Sequence, residues 1–218
     1  MKRAWVAVMF AAGFPAFAQP VRNPVTFVPE VARRAAADGN AAFAKGDYDA
    51  ARKSYQEVLR LVPDNLTGLV NLGVVEFRAG NIVEAEKVLK QTIGIRLETG
   101  PAWLTLGILY YEQNRMDEAL AALAQAVLYD PANARAHNYF GVVMGAKGWF
   151  DAAESELRRA VEIDSEYRDA HYNLAILYMQ RRPPAVELAK RHYFRSTELG
   201  APPDPALEKR LKSASAGR

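Results

Sequence analysis

Residues 100–133 read GPAWLTLGILYYEQNRMDEALAALAQAVLYDPAN, and shifting this segment by its own length in either direction meets a related one. Gly39, Gly73, Gly107, Gly141 and Ala175 form a series spaced by 34 residues, and Ala51, Ala85, Ala119 and Ala153 form a second. A period of this size identifies a repeat array. The two series are twelve residues apart and each is flanked by apolar residues at helical spacing. One supersecondary unit, a pair of helices, is therefore stacked about five times.

Within a unit the first helix carries large residues at i, i+3 and i+7, as in Trp103, Leu106 and Tyr110, with the small residue beside the second of them. A hydrogen or methyl there lets the first helix approach the second closely, so Gly73, Gly107 and Gly141 are expected at helix contacts. Gly46, Gly80, Asn114 and Gly148 tolerate the left-handed conformation that ends a helix, and Tyr48, Ile82, Met116 and Phe150 follow two positions later. The second helix brings Ala51, Ala85, Ala119 or Ala153 to the contact, with Tyr55, Leu89, Leu123 or Leu157 one turn on. Pro63 and Pro131 stop two of these second helices.

Trp103, Leu106, Gly107, Tyr110, Ala119, Leu123, Ala126 and Pro131 resemble the pattern of the tetratricopeptide repeat (TPR) family. Unit one departs from it with Ala35, Asp38 and Ala42, and unit two with Glu76, Thr92 and Leu97. The resemblance, over about Ala32 to Leu199, implies an all-α fold: a right-handed α-solenoid of about five TPR helix-turn-helix units with a C-terminal capping helix. The expected organisation is a signal peptide at 1–18, an extended tether at 19–31, an array at 32–203 and a capping helix with tail at 204–218. The units run 32–65, 66–99, 100–133, 134–167 and 168–203. In the fifth, Ala189 comes two residues late, which places two extra residues in the turn at Arg181-Arg182-Pro183-Pro184. Asp204-Pro205 supplies an N-cap and a first-turn proline for the last helix, which carries Leu207 and Leu211 inward and Glu208, Lys209, Arg210 and Lys212 outward.

Lys2 and Arg3, the apolar run Ala4–Phe14 and the small-x-small triplet Ala16-Phe17-Ala18 read as a secretory signal cleaved before Gln19. Retention as an anchor is the alternative. The expected location is the periplasm or, failing that, the exterior. No cysteine is present for disulfides or for a lipid anchor, so stability must come from packing. Loss of the signal takes 28 basic groups to 26 against 25 acidic ones, a balance that excludes a general nucleic-acid binder. Residues 181–218 hold nine basic and four acidic groups, enough to allow a peripheral membrane contact.

Nothing in the chain points to catalysis or to a cofactor: there is no phosphate-cradling loop, dinucleotide fingerprint or nucleophile turn. His137 and His171, 34 residues apart, lack the companions a metal site needs, and His192 stands alone on the last long helix, so all three are read as structural. What remains is the concave face that the resemblance assigns to the first helices. Its expected partner-binding residues are Asn40, Phe43, Asn71, Phe77, Tyr111, Arg135, Asn138, Tyr139, Tyr172, Asn173 and Met179, with Val70, Val74, Leu104, Thr105, Ile108, Val142 and Ile176 between them. Such a lining suits a peptide or helix of another protein, with asparagines holding its backbone amides. Some relatives grip a terminal carboxylate through lysine and arginine, but those places hold Ala36, Pro101 and Thr105 here. The expectation is a non-enzymatic scaffold of the bacterial cell envelope. The alternative is a self-associating or assembly factor for a membrane-embedded machine, contacting it through the basic end.

Overall fold

The structure is a computed structural model that describes residues 28–216. The expected signal and most of the expected tether lie outside them. Among the described residues there are eleven α-helices and no strand. Five helical hairpins come first: α1 (Glu30–Ala44) with α2 (Tyr48–Leu61), α3 (Leu66–Arg78) with α4 (Ile82–Ile95), and α5 (Gly100–Glu112) with α6 (Met116–Tyr129). Then follow α7 (Ala134–Ala146) with α8 (Phe150–Ile163), α9 (Arg168–Gln180) with α10 (Val186–Glu198), and the single α11 (Pro205–Ala216).

Four of the five hairpin turns are built alike, because four residues adopt positive φ: Gly46 at 76°, Gly80 at 81°, Asn114 at 58° and Gly148 at 80°. Each reverses the chain so that two amides bond back to the helix end. Gly46 donates to the Phe43 carbonyl at 2.9 Å and Asp47 to the Ala42 carbonyl at 3.0 Å, and the same pair recurs after α3, α5 and α7. This arrangement satisfies carbonyls that the helix itself leaves unpaired. Between units, Asn65 and Asn133 accept from the amides of Gly68 and Ala136 and so start α3 and α7. The turn from α9 to α10 is longer by two residues, and its cap Arg181 is extended at φ −60° and ψ 155°.

Helices pack as neighbours along the chain, and the first helices of adjacent units also touch, α3 on α5, α5 on α7 and α7 on α9. The glycines set how closely a hairpin closes. A Cβ on Gly73 would lie 2.7 Å from Leu89, on Gly107 2.5 Å from Leu123, and on Gly141 2.7 Å from Leu157. Three successive buried clusters fill the stack, and the last includes Leu207 and Leu211 of α11. The chain therefore folds as an α-solenoid.

One boundary is corrected. Glu30 and Val31, expected at the end of an extended tether, are helical, because Pro29 at ψ 146° caps α1, which starts straight after it. Glu30 in the first turn faces the positive end of the helix and pairs with Arg33 at 2.5 Å.

Candidate functional site

The first helices of units three to five enclose a trough of about 290 Å³. Tyr111 from α5, Gly141, Val142, Gly145 and Ala146 from α7, and Tyr172, Asn173, Ile176 and Gln180 from α9 line it. Gly141 and Val142 reach the lining because α7 sits so close to α8 that Leu157 forms the floor. Tyr139 stands edge-on to Tyr111, with ring centres 6.3 Å apart and planes at 70°, and the Arg135 guanidinium lies 5.7 Å over the Tyr139 ring. Asn173 donates to the Asn138 side-chain oxygen at 2.8 Å. These contacts fix the aromatic rims before any partner arrives, which lowers the entropy a partner must overcome.

Several expected lining residues are committed elsewhere. Phe77 is 8% exposed and joins the cluster holding Leu104 and Ile108, because the first helix of the following unit closes over it. Leu104 and Ile108 are buried for the same reason. Met179 is 6% exposed in the cluster that α11 completes, its carbonyl accepts from Arg210 at 3.4 Å, and it borders the groove beyond Gln180 rather than the trough itself. Asn138 is buried, held by Asn173 and by the Tyr167 side chain. The Tyr172 hydroxyl donates to Asp204 at 2.7 Å, and that carboxylate together with burial pushes the phenol up to about 12. Asn40 is exposed but accepts from the Tyr55 hydroxyl at 2.6 Å. Phe43 packs on Tyr48, Asn71 is half-buried beside Tyr55, and all three lie in the first two units, away from the trough.

The histidines also need correction. His171 meets His192, with facing Nδ1 atoms 2.9 Å apart, so His192 is not alone. His137 instead places Nδ1 2.6 Å from Glu156 and Nε2 3.1 Å from the Pro131 carbonyl. The carboxylate holds a proton on the His137 ring and raises its pKa, against the opposing effect of burial. Burial lowers His171 and takes His192 down to about 4, aided by their mutual repulsion in the case of His192. The signal was in the sequence: once the two-residue insertion is subtracted, His192 occupies in unit five the place of Glu156 in unit four. Among the described residues no group of three or more histidines, aspartates and glutamates is placed to hold a metal. No helix among them is long and apolar enough to cross a membrane.

Comparison with known proteins agrees with this architecture. Residues 37–96 match the family described as tetratricopeptide repeat, and residues 107–148 match a second description of the same repeat. A "TPR repeat-containing thioredoxin TTL4" of Arabidopsis thaliana is 33% identical over 107 residues, 49% of this chain and 15% of that protein. A "BBSome complex member BBS4 homolog" of Drosophila melanogaster is 26% identical over 133 residues, 61% of this chain and 27% of that protein. The chain thus spans about a quarter or less of these relatives' length. Among solved structures, a thermophilic TPR protein of Thermus thermophilus superposes with TM-score 0.65 at 24% identity, covering 85% of this chain and 99% of that one. MamA of Desulfovibrio magneticus gives 0.64 at 20%, covering 79% and 97%. YrrB, titled "a TPR protein with an unusual peptide-binding site", gives 0.60 at 22%, covering 80% and 88%. The repeated helical hairpins, their glycine contacts and the family matches together make this chain a tetratricopeptide repeat protein.

Proposed function

We propose that the chain is a non-enzymatic scaffold of the cell envelope that receives a peptide or helix of another protein in the trough along α5, α7 and α9. One observation carries this reading: a preformed cleft with an apolar and tyrosine-rich lining lies on the first helices, and among the described residues no carboxylate lines it. Tyrosines of this kind offer large contact area with few rotatable bonds, the property that concentrates binding energy in a few residues. Membership of a repeat family that includes a structure titled for its peptide-binding site supports the same reading. The envelope location rests on the signal-like residues 1–18.

In-cell cross-linking followed by identification of the attached protein tests the proposal. Replacing Tyr111 and Tyr139 together by alanine should reduce that product at least several-fold without unfolding the chain, since neither ring is fully buried. Unchanged cross-linking would remove the trough from consideration. Fractionation of the same cells should find a chain shortened by its signal outside the cytosol; a full-length product in the cytosol would refute export.

A further inference from the structure

The trough continues beyond Gln180. Gly145, Ala146 and Gln180 also line a wider groove of about 930 Å³ that passes the C-terminal ends of α7 and α9 and reaches Phe150, Pro184, Arg182 and Arg210. No carboxylate among the described residues lines this stretch either. Arg181 borders it, but its charge is already matched by Asp151 at 2.7 Å and Glu154 at 2.5 Å. Arg182 is exposed in the long turn and meets no carboxylate at ion-pair distance among the described residues. Arg210 donates to the Met179 carbonyl at 3.4 Å and lies near enough to Asp204 to help hold that carboxyl low, but it meets no carboxylate at ion-pair distance among the described residues. The last carbonyls of α9 carry about half a negative charge, which that one contact offsets in part, so two guanidiniums leave the mouth of the groove positive.

An apolar, tyrosine-lined cleft that opens at one end beside two arginines with no carboxylate in ion-pair contact is complementary to one kind of ligand. We propose that the partner segment is apolar where it crosses Tyr111, Val142 and Ile176 and carries aspartate or glutamate side chains immediately beyond, received by Arg182 and Arg210. The inference rests on the reading of the trough as the partner site. It depends on the two extra residues of the α9–α10 turn, which carry Arg182 to the groove and have no counterpart in the other four turns. Guanidinium suits the task, because it forms paired hydrogen bonds to a carboxylate and stays charged at every physiological pH.

Panning a library of short random peptides, displayed on phage with blocked C-termini, against the immobilised full chain tests this. Enriched peptides should share an apolar or aromatic stretch with aspartate or glutamate on one side of it. A synthetic representative should bind about tenfold more tightly than its twin with glutamine in place of the acids. In the double variant Arg182→Glu with Arg210→Glu the two peptides should bind alike, or the preference should invert. Arg182→Glu alone, at an exposed residue, keeps the test valid if the double variant does not fold. Enrichment of apolar peptides with no acidic preference would overturn this inference and leave the trough reading intact. Absence of any enriched peptide, or enrichment indifferent to Tyr111→Ala with Tyr139→Ala, would overturn both. Binding to phosphatidylglycerol vesicles that Arg182→Glu abolishes, with no preference among peptides, would assign the arginines to a lipid surface instead.

Discussion

At the scale of single residues, the joints between units explain the departures from the repeat pattern. Position 11 of each first helix faces position 21 of the preceding unit, and three of the four such joints are polar: Glu76 with Arg52, Tyr110 with Glu86, and Tyr178 with Glu154, at 2.5, 3.0 and 3.0 Å. Glu76, where the family prefers an aromatic residue, is 3% exposed and takes bonds from Arg52 and Asn81. Burial pushes its carboxyl up, but those donors outweigh burial and leave it ionised. Arg52→Met should cost about 2–4 kcal/mol in urea unfolding, because a buried charge loses its partner. Adding Glu76→Tyr should recover most of that loss. Recovery is expected because the pair at the same two repeat positions in units three and four, Leu120 and Met144, is apolar. The paired histidines give a second test. His171 must donate Nε2–H to the Ser165 carbonyl at 3.2 Å, so its Nδ1 lone pair accepts the single proton from His192, and a further proton on His171 Nδ1 would set two N–H groups against each other. Both values are depressed, so their contribution is complete above about pH 6.5 and is lost as pH falls toward 4. His192→Glu copies the His137–Glu156 arrangement and should remove about 1 kcal/mol of that acid-side loss, read as a flatter urea midpoint between pH 6.5 and 4. An unchanged pH profile would show that the pair does not titrate as its geometry requires.

At the scale of the helix pair, the close approach set by glycine is the feature the sequence displays most openly. The series at Gly73, Gly107 and Gly141 is legible because a Cβ at those points has no room, whichever partner leucine is present. Gly107→Ala should therefore lower stability: overpacking costs about 1–3 kcal/mol, and the gain in helix propensity of about 1 kcal/mol offsets only part of it. Gly94 is the control. A Cβ there meets nothing within 4 Å, so Gly94→Ala should leave the melting temperature unchanged or raise it slightly. Equal losses in both variants would mean that the hairpins do not depend on tight closure. The turns were legible for a similar reason, since only a few residues accept positive φ. Less legible was which side of a first helix faces a partner and which faces the next unit. Phe77 and Tyr111 hold the same place in successive units, yet one is buried against α5 and the other borders the trough, because neighbouring side chains rather than the period decide it.

At the scale of the whole molecule, contacts run only between near neighbours, so stability should vary along the stack rather than rise and fall as one. The C-terminal end is closed by α11. Leu207 and Leu211 are buried there, Asp204 caps the helix by accepting from Ala206 and Leu207, and the Tyr193 hydroxyl accepts from the Asp204 amide at 2.9 Å while donating to Glu208 at 2.8 Å. Tyr193 is itself 1% exposed and stands where Leu157 stands one unit earlier, once the two-residue shift is applied. A tyrosine at that place binds the cap through its hydroxyl as well as filling the core. Removing residues 204–218 should expose the Tyr193 hydroxyl, free the Tyr172 hydroxyl at the end of the trough, and weaken α9 and α10 first. Hydrogen exchange should then show amides of α9 and α10 exchanging faster by about tenfold or more, with α3 to α6 nearly unchanged, because each unit stabilises chiefly the next. Tyr193→Phe in the full chain should reproduce a smaller part of this loss, about 1 kcal/mol, since it removes only the two hydrogen bonds. A truncation that accelerated exchange equally in all five units would instead make the array one cooperative body, and the separation between its N-terminal units and the trough-bearing ones would have to be abandoned.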